Sequence, residues 1–426
     1  MSDKINSISI DSRDANKFDL YIAIVGKNHD GNKFTKEVLN NGAKFAIISN
    51  PFFHSEKTIL VKSGIEALAN IASYLRDQIK PKIIAITGSN GKTSSKEVLV
   101  SIMRNYLNKD QLLYTEGNYN NEIGLPLTLL NLKSSHSHVV LELGMSHSGE
   151  IGKLTRIAKP NIALITNIGE AHIQNFISKD SIAEAKKEIL THSNQLEFSI
   201  LPKDDDYYQF LSKDKNSLNE ITFGFTKDAT ISCVPLDEQK IRIFTPKESF
   251  DVKVNLLGNH NLRNIIAACA CSYALGVPVN IMKKGIEAIK SFPGRLEVKI
   301  SSNGATIIND SYNANPSSMK EAIDVLGSRE GLKILVIGDM AELGNDTDKY
   351  HKELGKYIKA SRIDFTFGIG RHTKITMQQL GKDGLWFETK EALVSKLIDI
   401  MNPKSTVLVK GSRFMEMEEV VNKIIL

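Results

Sequence analysis

The stretch Ile83-Ile84-Ala85-Ile86-Thr87-Gly88-Ser89-Asn90-Gly91-Lys92-Thr93-Ser94-Ser95-Lys96 decides the reading of the chain. A short β-branched run reads as a buried strand. It breaks at two glycines around a polar pair and resumes as a helical pattern through Val98, Leu99, Ile102 and Met103. That order suits a phosphate cradle. Gly88 and Gly91 let backbone amides approach an anion, and the helix N-terminus behind them favours negative charge. Lys92 is expected at the β- and γ-phosphates and the Thr93 hydroxyl at Mg²⁺. Ile86 stands where the usual spacing has its first glycine, so the loop is a shortened Gly-x-x-Gly-Lys-Thr. A plain strand–turn–helix corner is the alternative. The strand before the loop and the amphipathic helix after it favour a nucleotide.

At 426 residues the chain exceeds one core, so two or three domains are expected. A net charge of +5, with both signs interspersed, implies no nucleic-acid or membrane patch. Three cysteines make a disulfide framework unexpected and suit a reducing cytosol. Cys269 and Cys271, two apart in an Ala-rich helix, are read as core. No apolar stretch reaches spanning length and the N-terminus has no apolar signal region, so a cytoplasmic location is expected.

Before Lys80-Pro81 the chain reads as a compact α/β segment. Its strands are 7–11, 20–24 and 45–49, and its helices 35–41 and 65–78. Two polar features follow the first strands. Ser12 and Arg13 in Asp11-Ser12-Arg13, and the run Gly26-Lys27-Asn28-His29-Asp30-Gly31, suit a polyphosphate or sugar, or are ordinary turns.

Beyond Lys80-Pro81 strands and helices alternate. This predicts a parallel sheet with ligands at the carboxyl ends of its strands. Glu142 ends the run His138–Leu141, where a carboxylate needs a partner or a cation; a salt bridge or helix cap is the alternative. His172 follows the run Ile162–Ile165 at the same level, where a metal ligand would be wanted. Asn118, Asn120 and Asn121 sit in an amide-rich loop suited to phosphate or a polar substrate. A lysine pair, Lys186-Lys187, falls in a helix over 180–192 and reads as a solvated face. From 197 to 256 the pattern predicts a small antiparallel patch. Asn261 and Asn264 share a helix face suited to a base or sugar. Pro293-Gly294-Arg295 marks the second boundary. A third α/β unit follows, with strands at 306–309, 333–337, 364–368, 385–388 and 406–409. Polar groups close several of them: Asp310 to Pro316, Gly338 to Gly344, and Lys410 to Arg413. No dinucleotide fingerprint follows the first of these strands, which makes the unit a substrate domain.

The ordered motifs Thr-Gly-x-Asn-Gly-Lys-Thr, Asn-x-Asn-Asn-Glu-Ile-Gly, Glu-Leu-Gly-Met, Thr-Asn-Ile-Gly-x-Ala-His, Gly-x-His-Asn-x-x-Asn, Pro-Gly-Arg and Asp-Ser-Tyr-Asn-Ala-Asn-Pro resemble the Mur ligase family over essentially the whole chain. These are ATP-dependent amide ligases of cytoplasmic peptidoglycan synthesis. The third-unit motifs are most similar to those of the D-alanyl-D-alanine-adding branch.

The resemblance implies three domains. Residues 1–80 would bind UDP-MurNAc-peptide, 81–293 would form the central P-loop parallel-sheet domain that binds ATP, and 294–426 would be a Rossmann-like domain binding D-Ala-D-Ala. It implies ATP, Mg²⁺ and an acyl-phosphate intermediate, with UDP-MurNAc-tripeptide and D-Ala-D-Ala as substrates and no nucleic acid or membrane insertion; a monomer is expected. Lys92, Glu142, His172 and Lys186 would be catalytic, with Thr93, Glu142, His172 and a carbamylated Lys186 at Mg²⁺. Gly88, Ser89, Asn90, Gly91, Lys92, Thr93 and Ser94 would hold the phosphates. Asn261, Asn264 and Arg295 would hold the base and ribose region, with Asp310 meeting it from the third domain. Ser12, Arg13, Asn118, Asn120, Asn121, Tyr312, Asn313 and Asn315 would serve the other substrates. Phe292-Pro293-Gly294 is the expected hinge. A sister ligase adding one amino acid, or a silent binding protein, is the alternative.

Overall fold

The computed structural model describes residues 5, 7–26, 28–213 and 215–425. Lys27, part of the polar run after the second strand, lies outside them. The chain is α/β, built on three sheets in sequence order.

The first sheet has four parallel strands in chain order: Ile8–Ser9, Leu20–Ile22, Phe45–Ile48 and Thr58–Leu60. The last of these was not expected. It is three residues long at a sheet edge, with only Thr58 buried, and so short a run is not enough to mark a strand. Helix Gly64–Ile79 starts at Ser63, whose hydroxyl accepts from the Glu66 amide. It leaves the first sheet and packs on helix Gly124–Leu129 of the second unit.

The second sheet has nine strands, ordered Ser249–Lys253, Lys240–Phe244, Ile231–Pro235, Asn219–Gly224, Phe198–Pro202, Ile162–Ile165, Lys82–Thr87, His138–Glu142 and Leu112–Tyr114. Seven run parallel, from Ile231–Pro235 to Leu112–Tyr114. The antiparallel patch expected after residue 197 is smaller than foreseen. Only Lys240–Phe244 runs against the others; Ser249–Lys253 pairs antiparallel with it at the edge, and this hairpin extends the sheet instead of standing apart. Strand Lys82–Thr87 is buried along its apolar run because helices cover both faces. Lys92–Tyr106 and Asn259–Ala274 pack on one face, and Glu150–Ala158 and Lys179–Thr191 on the other. Burying Ile84 and Ile86 completely contributes about 2–3 kcal/mol each. Cys233, Cys269 and Cys271 are free thiols inside this core, and burial pushes the Cys233 thiol up to about 12.

The third sheet orders Glu297–Ile300, Thr306–Asp310, Ser405–Lys410, Leu332–Ile337, Phe365–Ile369 and Gly384–Phe387. All pairs are parallel except the first, an edge hairpin whose alternating, half-exposed strand was not anticipated.

In the central sheet the chain leaves Lys82–Thr87 toward one edge, returns through His138–Glu142, and crosses to Ile162–Ile165 on the other side. Such a reversal opens a crevice at the carboxyl ends of the strands. The carboxyl ends of Thr306–Asp310 and Ser405–Lys410 in the third sheet face the same opening. Together they enclose a cavity of about 800 Å³.

Candidate active site at the junction of the second and third units

The loop after Lys82–Thr87 forms the cavity floor. Gly91 (φ 77°) caps helix Lys92–Tyr106, and a β-carbon there would collide with the Asn264 amide oxygen. Ser89 is pinned to the strand-end loop by two bonds. Its hydroxyl donates to the Gly169 carbonyl (2.9 Å) and accepts from the Gly169 amide (2.7 Å). Lys92 folds back, its Nζ donating to the Gly88 carbonyl at 2.7 Å. Burial holds the Lys92 ammonium below the ordinary lysine value; Glu142 works against this shift and Arg295 adds to it. A half-buried cation facing loop amides is suited to an incoming polyanion.

Glu142 is buried at the end of its strand. Its Oε1 accepts from Asn120 Nδ2 at 2.8 Å, while Oε2 has no hydrogen-bond partner. An orphan carboxylate oxygen beside a phosphate loop fits a hard divalent cation. Among the described residues no three His, Cys, Asp or Glu side chains gather into a metal centre. The Glu142 carboxylate and the Thr93 hydroxyl are hard oxygen donors of the kind that Mg²⁺ takes, with phosphate and water to fill its shell.

His172 lines the cavity in a left-handed conformation (φ 60°). Its Nδ1 lies 2.6 Å from Glu342 Oε2 of the third unit, though off the hydrogen-bond axis. The nearby imidazole holds the Glu342 carboxyl below its ordinary value.

Lys186 overturns the solvated-face reading of its helix. The residue is 2% exposed, because its position on Lys179–Thr191 faces the sheet between Ala185 and Ile189. No hydrogen bond or ion pair engages its ammonium among the described residues. Burial, and then Lys92, drive its pKa well below the ordinary lysine value. Lys187 faces the other way, over the Phe210 ring at 4.5 Å.

Asn261 and Asn264 are buried beneath the loop. Asn264 accepts from the Ser95 hydroxyl and donates to Asn261, whose own amide donates to the Leu257 carbonyl. Their contacts brace the loop, and both still line the cavity. Arg295 was expected beside the base and ribose; its Nη2 instead donates to Thr93 Oγ1 at 3.2 Å. Its guanidinium carbon sits 4.0 Å from the Tyr312 ring centre. Asp310 is held inside its own unit, by Lys410 Nζ at 2.6 Å and the Leu296 amide at 3.1 Å, so its carboxylate is already partnered where a nucleotide contact was foreseen.

The cavity also gathers Ser94, Asn120, Asn121, Tyr312, Asn313 and Asn315. Three expected substrate residues are not brought there. Asn118 is exposed on its loop outside the lining, and Ser12 and Arg13 lie in the first unit, with Arg13 bound to Asp11. Sequence reasoning missed Glu342 and Ser317. The polar strand end Gly338 to Gly344 was noted as a motif, and Asn315-Pro316-Ser317 is a helix start in which serine is easily assigned to capping alone.

A phosphate loop and an orphan carboxylate at the strand ends of the central sheet, a buried lysine on a helix packed against that sheet, and the polar strand ends of the third sheet facing them are the features of an ATP-dependent ligase of several domains. Family models match along the chain: "Mur ligase family, catalytic domain" over residues 4–76, "Mur ligase middle domain" over 86–272, and "Mur ligase, glutamate ligase domain" over 294–413. The UDP-N-acetylmuramoyl-tripeptide–D-alanyl-D-alanine ligase of Buchnera aphidicola subsp. Baizongia pistaciae is 37% identical, over 99% of this chain and 92% of its own. That of Escherichia coli K12 is 34% identical over 98% and 93%. MurF from Acinetobacter baumannii superposes with a TM-score of 0.94 at 32% identity, covering 100% of this chain and 94% of that one. MurF ligase from Thermotoga maritima in complex with ADP gives 0.90 at 28% identity, over 98% and 96%. The chain belongs to the Mur ligase family.

Proposed function

We propose that this chain joins D-alanyl-D-alanine to UDP-N-acetylmuramoyl-tripeptide at the expense of ATP. The observation that carries the reading is one cavity lined from one side by the phosphate loop and from the other by Arg295, Tyr312, Asn313 and Asn315. The named relatives align over nearly their whole length, which supports carrying their substrates to this chain.

The tripeptide's terminal carboxylate attacks the γ-phosphorus of ATP, forming an acyl phosphate and releasing ADP. The amine of D-Ala-D-Ala then attacks the acyl carbon, expels inorganic phosphate and loses a proton as the amide forms. Two anions meet in the first step, so cationic groups at the loop matter most. Lys92 exchanges its bond to the Gly88 carbonyl for the β/γ-phosphates. Arg295, next to Thr93, serves the phosphates rather than the base. Thr93, Glu142 and His172 would hold Mg²⁺, which when bound offsets the charge between phosphate and carboxylate.

Carbamylated Lys186 completes this set. Burial lowers the pKa of the Lys186 amine and so favours its neutral form, and a neutral amine adds CO₂ to give a carbamate and a proton. The resulting anion would face Lys92, replacing cation–cation repulsion with attraction.

We assign residues 1–80 to the uridine-nucleotide end of the acceptor, through Ser12 and Arg13, residues 81–293 to ATP, and residues 294–426 to the dipeptide. Among the described residues no helix is long and apolar enough to cross a membrane. The soluble substrates suit a cytoplasmic location.

Phosphate release from ATP and Mg²⁺ tests the assignment. Release that needs both UDP-MurNAc-tripeptide and D-Ala-D-Ala, with a pentapeptide product by mass, supports it. Turnover with single amino acids alone moves the chain to a sister ligase.

A further inference from the structure

We propose that Asn90, Asn315 and Ser317 form a docking latch through which seating of the third unit sets the geometry of the phosphate loop. Asn90 stands between Ser89 and Gly91 in that loop; Asn315 and Ser317 open helix Pro316–Gly327 of the third unit. Asn315 Nδ2 donates to Asn90 Oδ1 at 2.7 Å, and Asn90 Nδ2 donates to Ser317 Oγ at 2.8 Å. Ser317 Oγ donates to Asn315 Oδ1 at 3.0 Å, which closes the ring. Each side chain gives one hydrogen bond and takes one. Turning Asn90 over would set donor against donor at Asn315, and turning Asn315 over would set acceptor against acceptor at Asn90, so the ring closes in one arrangement of the two amides.

Both ends of the ring are anchored to backbone. The Asn90 amide donates to Asn167 Oδ1 at 3.0 Å. Its carbonyl accepts from Thr166 Oγ1 at 2.6 Å and Asn167 Nδ2 at 2.9 Å. Displacing the Asn90 side chain therefore strains a peptide unit that is fixed on both sides, one residue before the left-handed Gly91 and two before Lys92. On the other side, Asn315 Oδ1 also accepts from the Ser318 amide as the helix cap, so the ring is rigid with the helix. Two helix N-termini from different units are thereby tied through three side chains. The three residues act by positioning Lys92 and Thr93.

The kinetic arm of the test rests on the ligase reading; the closure arm does not. In the full-length chain with MgADP, the closed fraction is measured by fluorescence transfer between dyes on the second and third units. Ser317→Ala and Asn90→Ala are each expected to lower the closed-to-open ratio about fivefold. The double variant is expected to be no worse than the weaker single one, because one ring can be broken only once. Ser317→Thr keeps the hydroxyl and is expected to restore closure. In turnover, kcat is expected to follow the closed fraction across the series. If Asn90→Ala does not fold, the Ser317→Ala and Ser317→Thr pair decides alone. An unchanged closed fraction in Ser317→Ala, or losses that add independently in the double variant, would overturn the latch. A wild-type chain that closes on MgADP but makes no pentapeptide would count against the ligase reading and leave the closure comparison intact.

Discussion

His172 Nδ1 and Glu342 Oε2 meet at 2.6 Å across the boundary between the second and third units, and both residues hold left-handed backbone angles (φ 60° and 63°). Neither is a glycine, so the conformation costs on the order of 1 kcal/mol at each and persists because the surroundings impose it. The Gln174 amide adds a bond to the Glu342 carbonyl at 3.1 Å. On the proposed reading, with Nδ1 beside the carboxylate, Nε2 would be the nitrogen left for a cation, and Glu342 would orient the imidazole.

Glu342→Gln is accordingly expected to weaken Mn²⁺ binding in the presence of ADP about tenfold, measured by electron paramagnetic resonance. The pair is partly exposed, so the unfolding midpoint should move by no more than about 2–4 °C. Unchanged Mn²⁺ affinity would mean that Glu342 does not orient His172.

Lys186 yields a chemical test. Equilibration with ¹³C-bicarbonate should give a carbamate carbon signal in the wild-type chain and in Lys187→Arg, and none in Lys186→Arg. Lys186→Arg should also lose activity by about two orders of magnitude, since a fixed cation would stand beside Lys92 where the proposed carbamate puts an anion. A carbamate signal that survives in Lys186→Arg would place the modification elsewhere.

Gly91→Ala combines a left-handed φ with a collision at Asn264 Oδ1. The expected result is a loss of ADP affinity of tenfold or more by calorimetry, roughly 1.4 kcal/mol. The chain has one tryptophan, Trp386, whose indole donates to the Gly370 carbonyl in the third unit; its fluorescence should stay native in this variant.

The same tryptophan reports a pH effect. His351 is fully buried, and its Nε2 accepts from the Met340 amide at 3.2 Å, which requires the neutral ring. Burial pushes its pKa down to about 4, against an ordinary 6.5 in the unfolded chain. Between those values the unfolded state binds the extra proton, so stability is intact above about 6.5 and falls as pH drops toward 4. The loss is of the order of 3 kcal/mol when complete. Urea unfolding followed at Trp386 should show this acid slope, and His351→Gln should flatten it.

Much of the fold was legible because its central strands are apolar, β-branched runs broken by glycine at their ends. Ile83–Thr87 needed only its neighbours to be read as a strand entering a phosphate loop. The edge strands Thr58–Leu60 and Glu297–Ile300 escaped because three or four residues, with their apolar side chains largely exposed at a sheet edge, give too short a pattern to separate from a loop. The site was legible where chemistry ends a strand, as at Glu142. It was not legible where tertiary packing decides. Nothing local distinguishes Lys186 from Lys187, yet one faces the sheet and the other a surface ring. The ring joining Asn90 to residues more than two hundred positions away has no sequence signal beyond three polar side chains.

Transfer of oxygen tests the central claim most directly. UDP-MurNAc-tripeptide labelled with ¹⁸O in its terminal carboxylate is turned over with ATP, Mg²⁺ and D-Ala-D-Ala, and the released phosphate is analysed by mass. An acyl-phosphate ligase leaves one carboxylate oxygen in each phosphate formed. Unlabelled phosphate alongside pentapeptide product would contradict the account.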